Sequence, residues 1–160
     1  CKDRVLRGYY ERCGKIVSKY SVNPGLDLTE LYIRIIFSFA VGNSDMHLKN
    51  FSLYRPAENY QLTPAYDLLN VAIANPKDKE ELALTLAGKK TKLRLADFLN
   101  AAKTMGLEEN VVQRLVAGLH KVFPKWQQLI KDSFLSEEQK QAYEELVVSR
   151  LNRLKTEQVG

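Results

Sequence analysis

Apolar residues recur at helical spacing from the start of the chain, with Val5, Leu6, Tyr9, Tyr10, Cys13, Ile16, Val17 and Tyr20 on one stripe. Gly14 lies inside this stretch, and Asn23-Pro24-Gly25 ends it. Asp27 is placed to cap a second helix, with Glu30 completing a capping box in its looser acidic form. The face this helix buries reads as Leu28, Leu31, Tyr32, Ile35, Ile36 and Phe39. At Gly42 the period changes. Residues 42–50 are polar and irregular, and Phe51–Tyr54 and Tyr60–Thr63 then read as two short strands of a hairpin joined by Arg55 to Asn59. Pro64-Ala65-Tyr66-Asp67 follows as another loop, and Leu82–Leu86 suits a short strand or a helical turn equally. Leu95 to Met105 predicts a helix closed by Gly106. Glu109 to Phe123 predicts another, burying Val112, Leu115, Val116, Leu119 and Phe123, and Pro124 is placed to begin a further helix reaching Phe134. Ser136 with Gln139 forms a capping box for a last helix carrying Tyr143, Leu146, Val147, Arg150, Leu151 and Leu154. The expected fold over residues 1–160 is one mainly α domain with a small β-hairpin inserted after the second helix.

Composition narrows the class. With 45% hydrophobic and 27% charged residues the chain is globular rather than disordered. Its most apolar stretch, Leu31 to Val41, is broken by Arg34 and Ser38 and falls short of the roughly 18 apolar residues that span a bilayer. Lys2, Asp3, Arg4 and Arg7 break any signal-peptide core. No membrane association is expected, and a cytoplasmic setting is. The two cysteines, Cys1 and Cys13, make no disulfide framework, and Cys13 reads as a small core residue. The chain starts without Met and is expected to be a piece of something longer. A net charge of +5 permits contact with phosphates or nucleic acid without requiring it. The dense patch Lys89, Lys90, Lys92 and Arg94 reads as a solvated turn, and His120 as an ordinary helix residue.

The chemistry concentrates where the second helix empties into Gly42-Asn43-Ser44-Asp45-Met46-His47-Leu48-Lys49-Asn50. Polar side chains at the mouth of a rigid apolar element are what a preorganised site needs. Asp45 and Asn50 stand five positions apart, the spacing of the Asp and Asn in a kinase catalytic loop. There the Asp accepts or orients the proton of an attacking hydroxyl, and the Asn lends a neutral oxygen to Mg²⁺. A further carboxylate must hold metal against phosphate. Asp67 supplies it, because an antiparallel hairpin returns its end near its start although 22 positions separate Asp67 from Asp45. Oxygen donors of this kind suit Mg²⁺ rather than zinc. Gly88-Lys89-Lys90-Thr91 echoes the end of a P-loop, but Ala83 stands where its first glycine belongs, so it is set aside.

The run from Gly42 to Leu53, together with Leu62-Thr63-Pro64-Ala65-Tyr66-Asp67-Leu68, resembles the signature of the HipA toxin-kinase family. The similarity continues through Leu82-Ala83-Leu84 and Ala96-Asp97-Phe98-Leu99. The resemblance implies a protein-kinase-like helical C-lobe and serine/threonine phosphorylation with ATP and Mg²⁺. It implies Asp45 as catalytic base and Asn50 and Asp67 as magnesium ligands. Many protein kinases place a phosphate-binding lysine two positions after the Asp; here that position is His47, and Lys49 lies four after. His47 and Lys49 therefore both stand as candidate ATP contacts, although His47 reads first as holding the loop by bonding to backbone. No Gly-rich loop or strand lysine is found in the chain, so an N-lobe of the same kinase is expected to complete the ATP cleft. The family also implies a protein substrate, a DNA-binding antitoxin as partner, and no direct contact of this lobe with nucleic acid. The competing expectation is a non-catalytic basic helical module that contacts an antitoxin or nucleic acid, for which Asp45, Asn50 and Asp67 together would have no use.

Overall fold

In the computed structural model, which describes residues 9–75, 77 and 79–155, helix α2 (Pro24–Val41) is the axis of the core. It touches α1 (Tyr9–Tyr20), α3 (Leu95–Met105), α4 (Glu109–Asp132) and α5 (Glu137–Arg153). All six residues expected on its buried face are buried, and Phe39 packs edge-on against Phe98 of α3 at 5.1 Å. On α1 the inward residues are Tyr10, Cys13 and Val17; Val5 and Leu6, expected on the same stripe, lie outside the described residues. Cys13 is a core thiol, pushed up to about 11 by burial, which fits packing rather than redox use. Gly14 lets α1 and α3 approach, since a Cβ there would sit 2.7 Å from Met105 Cγ. Among the described residues no helix is long and apolar enough to cross a membrane.

Several expectations held. Gly106 ends α3 in the left-handed conformation at φ +91°, and Ser136 and Gln139 exchange both bonds of their capping box. The hairpin is present, though each strand is only two residues long: β1 (Leu53–Tyr54) and β2 (Gln61–Leu62), with Leu53 opposite Leu62.

Three readings are corrected. Asp27 does not cap α2, which starts earlier, at Pro24; its carboxylate instead accepts from Ser21 Oγ and from Leu62 N, both at 2.7 Å. A first-turn acid thus ties the hairpin to the helix. Leu82–Leu86 is neither strand nor helical turn but an irregular segment with Leu82, Ala83, Leu84 and Leu86 buried. Pro124 does not separate two helices: α4 runs through it. Val112, Val116, Leu119, Phe123, Trp126 and Ile130 keep one helical phase across the proline, whose own ring is exposed. Packing along that continuous stripe outweighs the roughly 3 kcal/mol that an interior proline costs.

The irregular segment is anchored to α5 by Glu81. Its carboxylate accepts from Arg153 Nη1 at 2.7 Å and Nη2 at 3.0 Å, and from Leu93 N at 2.9 Å. Burial pushes the Glu81 carboxyl up, but Arg153, the Leu93 amide and Arg150 prevail and hold it below the usual carboxylate range. A depressed folded value contributes stability above the unfolded value, near 4.5, and that stability is lost as pH falls through the lower folded value. Glu81→Gln should therefore destabilise the fold by about 1–3 kcal/mol at pH 7, with the deficit shrinking at acid pH. Urea unfolding at pH 7 and pH 3 measures it; an equal deficit at both would show that charge is not the cause.

Candidate functional site

The catalytic-loop sequence owes its position to the end of α2. Gly42 takes φ +76°, and the Asn43 amide turns back to the Ser38 carbonyl at 2.8 Å, closing the helix in a Schellman arrangement. The Gly42 carbonyl in turn accepts from Val71 and Ala72 amides, both at 3.1 Å. A side chain here would be crowded as well as strained: a Cβ on Gly42 would lie 3.0 Å from Ala72 Cβ and 3.1 Å from Leu146 Cδ2. Helix end, loop and the chain beyond Asp67 are thereby locked to one another.

Asn43, fully buried, continues the linkage. Its Oδ1 accepts from the Asp45 amide at 3.1 Å, and its Nδ2 donates to the Asp67 carbonyl at 3.3 Å. One side chain thus bridges the two segments that carry Asp45 and Asp67. A 3₁₀ turn over Leu48–Asn50 points Asn50 inward, where its Nδ2 donates to Asp67 Oδ2. Tyr66 braces the same turn, its hydroxyl donating to the Lys49 carbonyl at 2.8 Å and lying 3.0 Å from Ser52 Oγ. From the core side the buried Tyr10 hydroxyl holds the Met46 carbonyl at 3.0 Å.

Of the residues expected from sequence, Asn50 and Asp67 are in direct contact, and Asp45 and His47 form a second pair. His47 Nε2 lies 3.1 Å from Asp45 Oδ1, with both side chains about half exposed. The imidazole is therefore seated on the carboxylate, not on a backbone group as the architectural reading of His47 had it. Lys49 is exposed and held through its carbonyl. Asn43 and Tyr66 were not singled out beforehand. For Asn43 a signal existed, since an Asn bonding the amide two residues on is an Asx turn; its bond to Asp67 had none.

Asn50 and Asp67 offer oxygen donors to a cation. Asn50 Oδ1 is buried without a hydrogen-bond partner, an expensive state for an amide oxygen that a cation would relieve. The neighbouring Asp67 carboxylate is exposed. Among the described residues no three His, Cys, Asp or Glu side chains converge. An amide oxygen and a carboxylate are hard donors of the kind Mg²⁺ takes, in a number that would leave most of its shell to other ligands.

Residues 2–126 match the family model described as the HipA-like C-terminal domain. The chain belongs to that family. A Haemophilus influenzae protein named "Putative kinase" is 30% identical to this HipA-like domain over 143 residues, which are 79% of the chain and 42% of the relative. Sinorhizobium fredii "Putative kinase Y4mE" is 30% identical over 113 residues, 69% of the chain and 26% of the relative. Among solved structures, HipA of Shewanella oneidensis MR-1, in complex with HipB and operator DNA, superposes with a TM-score of 0.72. That match has 20% identity and covers 90% of this chain and 35% of the other, so it establishes the fold: a HipA-like, kinase-type C-terminal domain. The HipA-like chain spans less than half the length of each of these relatives.

Proposed function

We propose that this HipA-like domain is the catalytic-loop lobe of a protein serine/threonine kinase that moves the ATP γ-phosphoryl group to a protein hydroxyl. The observation that carries this reading is the double bond-making of Asn43, which gathers Asp45 and the Asn50–Asp67 pair into one cluster. In the proposed step the substrate hydroxyl gives its proton to Asp45, its oxygen bonds to the γ-phosphorus, and the bond to the β-phosphate oxygen breaks, releasing ADP. His47, 3.1 Å from Oδ1, would orient Asp45 and leave Oδ2 for the hydroxyl. Asn50 Oδ1, buried without a partner, and the Asp67 carboxylate would hold Mg²⁺, which would offset charge on the phosphates. Lys49 is exposed and would contact phosphate. The adenine and β-phosphate contacts belong to an N-lobe. HipB in the Shewanella complex supports a DNA-binding antitoxin as partner and a toxin–antitoxin role for the whole protein.

Paramagnetic Mn²⁺ titrated in with a nucleotide tests the location. Amide signals of residues 43–50 and 65–68 should broaden first. Broadening centred on Lys89–Arg94 would place the phosphates elsewhere and sink the assignment.

A further inference from the structure

The outer face of α1 takes no part in the site. At 3.6 residues per turn Tyr9, Ile16 and Tyr20 fall within an arc of about 40°, and Arg12, Lys15 and Lys19 occupy the arc beside it. The three apolar residues are about half exposed, at 50%, 51% and 50%. Glu11, the acid of this helix, is turned inward and buried, where it accepts from the Ala87 amide at 2.7 Å, so it does not offset the outer charge.

The strip extends onto the hairpin. The Val22 amide bonds the Tyr60 carbonyl at 2.9 Å, and Tyr20 and Tyr60 meet edge to face at 6.4 Å. Cations are seated over its rings: Arg12 at 5.4 Å from Tyr9, Lys19 at 5.0 Å from Tyr20 and Arg55 at 5.6 Å from Tyr60. Such pairs hold ring and cation in place before a partner arrives, reducing the ordering cost of binding.

We infer that this strip is a docking surface for an acidic protein segment with apolar anchors. The charge calls for an acidic occupant. Tyr and Arg are the residues that anchor protein interfaces. Ile16 and the exposed Val22 lie among them, and aliphatic side chains suit peptide side chains better than nucleic-acid bases, which stack on aromatic rings. The twelve-residue helix is about 18 Å long, enough to seat five or six extended residues. The inference stands apart from the kinase reading because it is read out by binding alone.

The probe is a fluorescently labelled copolymer of Glu and Tyr, titrated with the protein at two salt concentrations. Binding should weaken with salt, and Arg12→Glu with Lys19→Glu should cost at least about tenfold in affinity. Lys103→Glu with Lys121→Glu, an equal change of net charge on exposed helix positions elsewhere, should leave it nearly unchanged. Tyr9→Ala with Tyr20→Ala should also weaken binding, whereas a purely electrostatic attraction would not notice it. Circular dichroism confirms folding, and Arg12→Gln with Lys19→Gln replaces the reversal if that variant unfolds. No binding of the copolymer, equal losses in the two charge-reversed proteins, or tighter binding of oligothymidylate through Arg12 and Lys19 would each overturn the proposal.

Discussion

Asp45→Asn in the complete protein should leave Mg-ATP binding intact while turnover falls by about 10²–10⁴-fold, the usual worth of a positioned general base. The substitution preserves size and leaves an oxygen able to accept from His47, whose Nε2 sits 3.1 Å away. The bond from the Asp45 amide to Asn43 Oδ1 uses only backbone of residue 45 and survives the Asp45→Asn change. What disappears is the capacity to take a proton. Calorimetry with nucleotide and single-turnover phosphorylation, run on the same preparation, separate the two effects. If the loop were merely structural, an Asp→Asn change would shift stability by at most about 1 kcal/mol and leave activity in place.

Asp67→Asn should fail in a different way. Its carboxylate is the charged member of the pair with Asn50, and Mg²⁺ relies on few carboxylates besides phosphate and water. Mg-nucleotide affinity should drop by at least about tenfold together with turnover, with thermal stability nearly unchanged. Should Asp67→Asn bind Mg-ATP normally while Asp45→Asn does not bind it, the two roles are reversed. Equal behaviour of both variants in binding and turnover would remove the distinction between base and ligand altogether.

Much of the scaffold was legible because single helices declare themselves through phase. The buried face of α2, the change of period at Gly42 and the closing glycine at 106 needed no tertiary knowledge, and neither did the Ser136 capping box. Pro124 misled because local chemistry allows it either at a first turn or inside a helix at a cost. The decisive signal was the apolar phase running unbroken from Val112 to Ile130, which a reading stopped at the proline does not collect. Asp27 misled for a related reason. Its partner, the Leu62 amide, is 35 positions away and visible only once the hairpin is docked.

The candidate site divides along the same line. Asp45 and Asn50 lie close in sequence, and a hairpin accounts for the return of Asp67. The pairing of His47 with Asp45, and the reach of Asn43 to the Asp67 carbonyl, depend on how two loops are stacked. No spacing rule encodes that stacking. The exposed face of α1 shows the limit from the other side, since Tyr9, Ile16 and Tyr20 join the apolar pattern of the sequence yet stand half out of the core.

Asp67 adopts φ +58°, in the left-handed region. Two alphabets therefore overlap at this position. The backbone admits Gly, Asn and Asp with little strain and penalises other residues, β-branched ones most. The proposed metal role admits Asp and Glu. Aspartate is the single residue common to both sets, so no conservative replacement exists: Glu keeps the charge and strains the chain, while Asn and Gly keep the conformation and lose the charge.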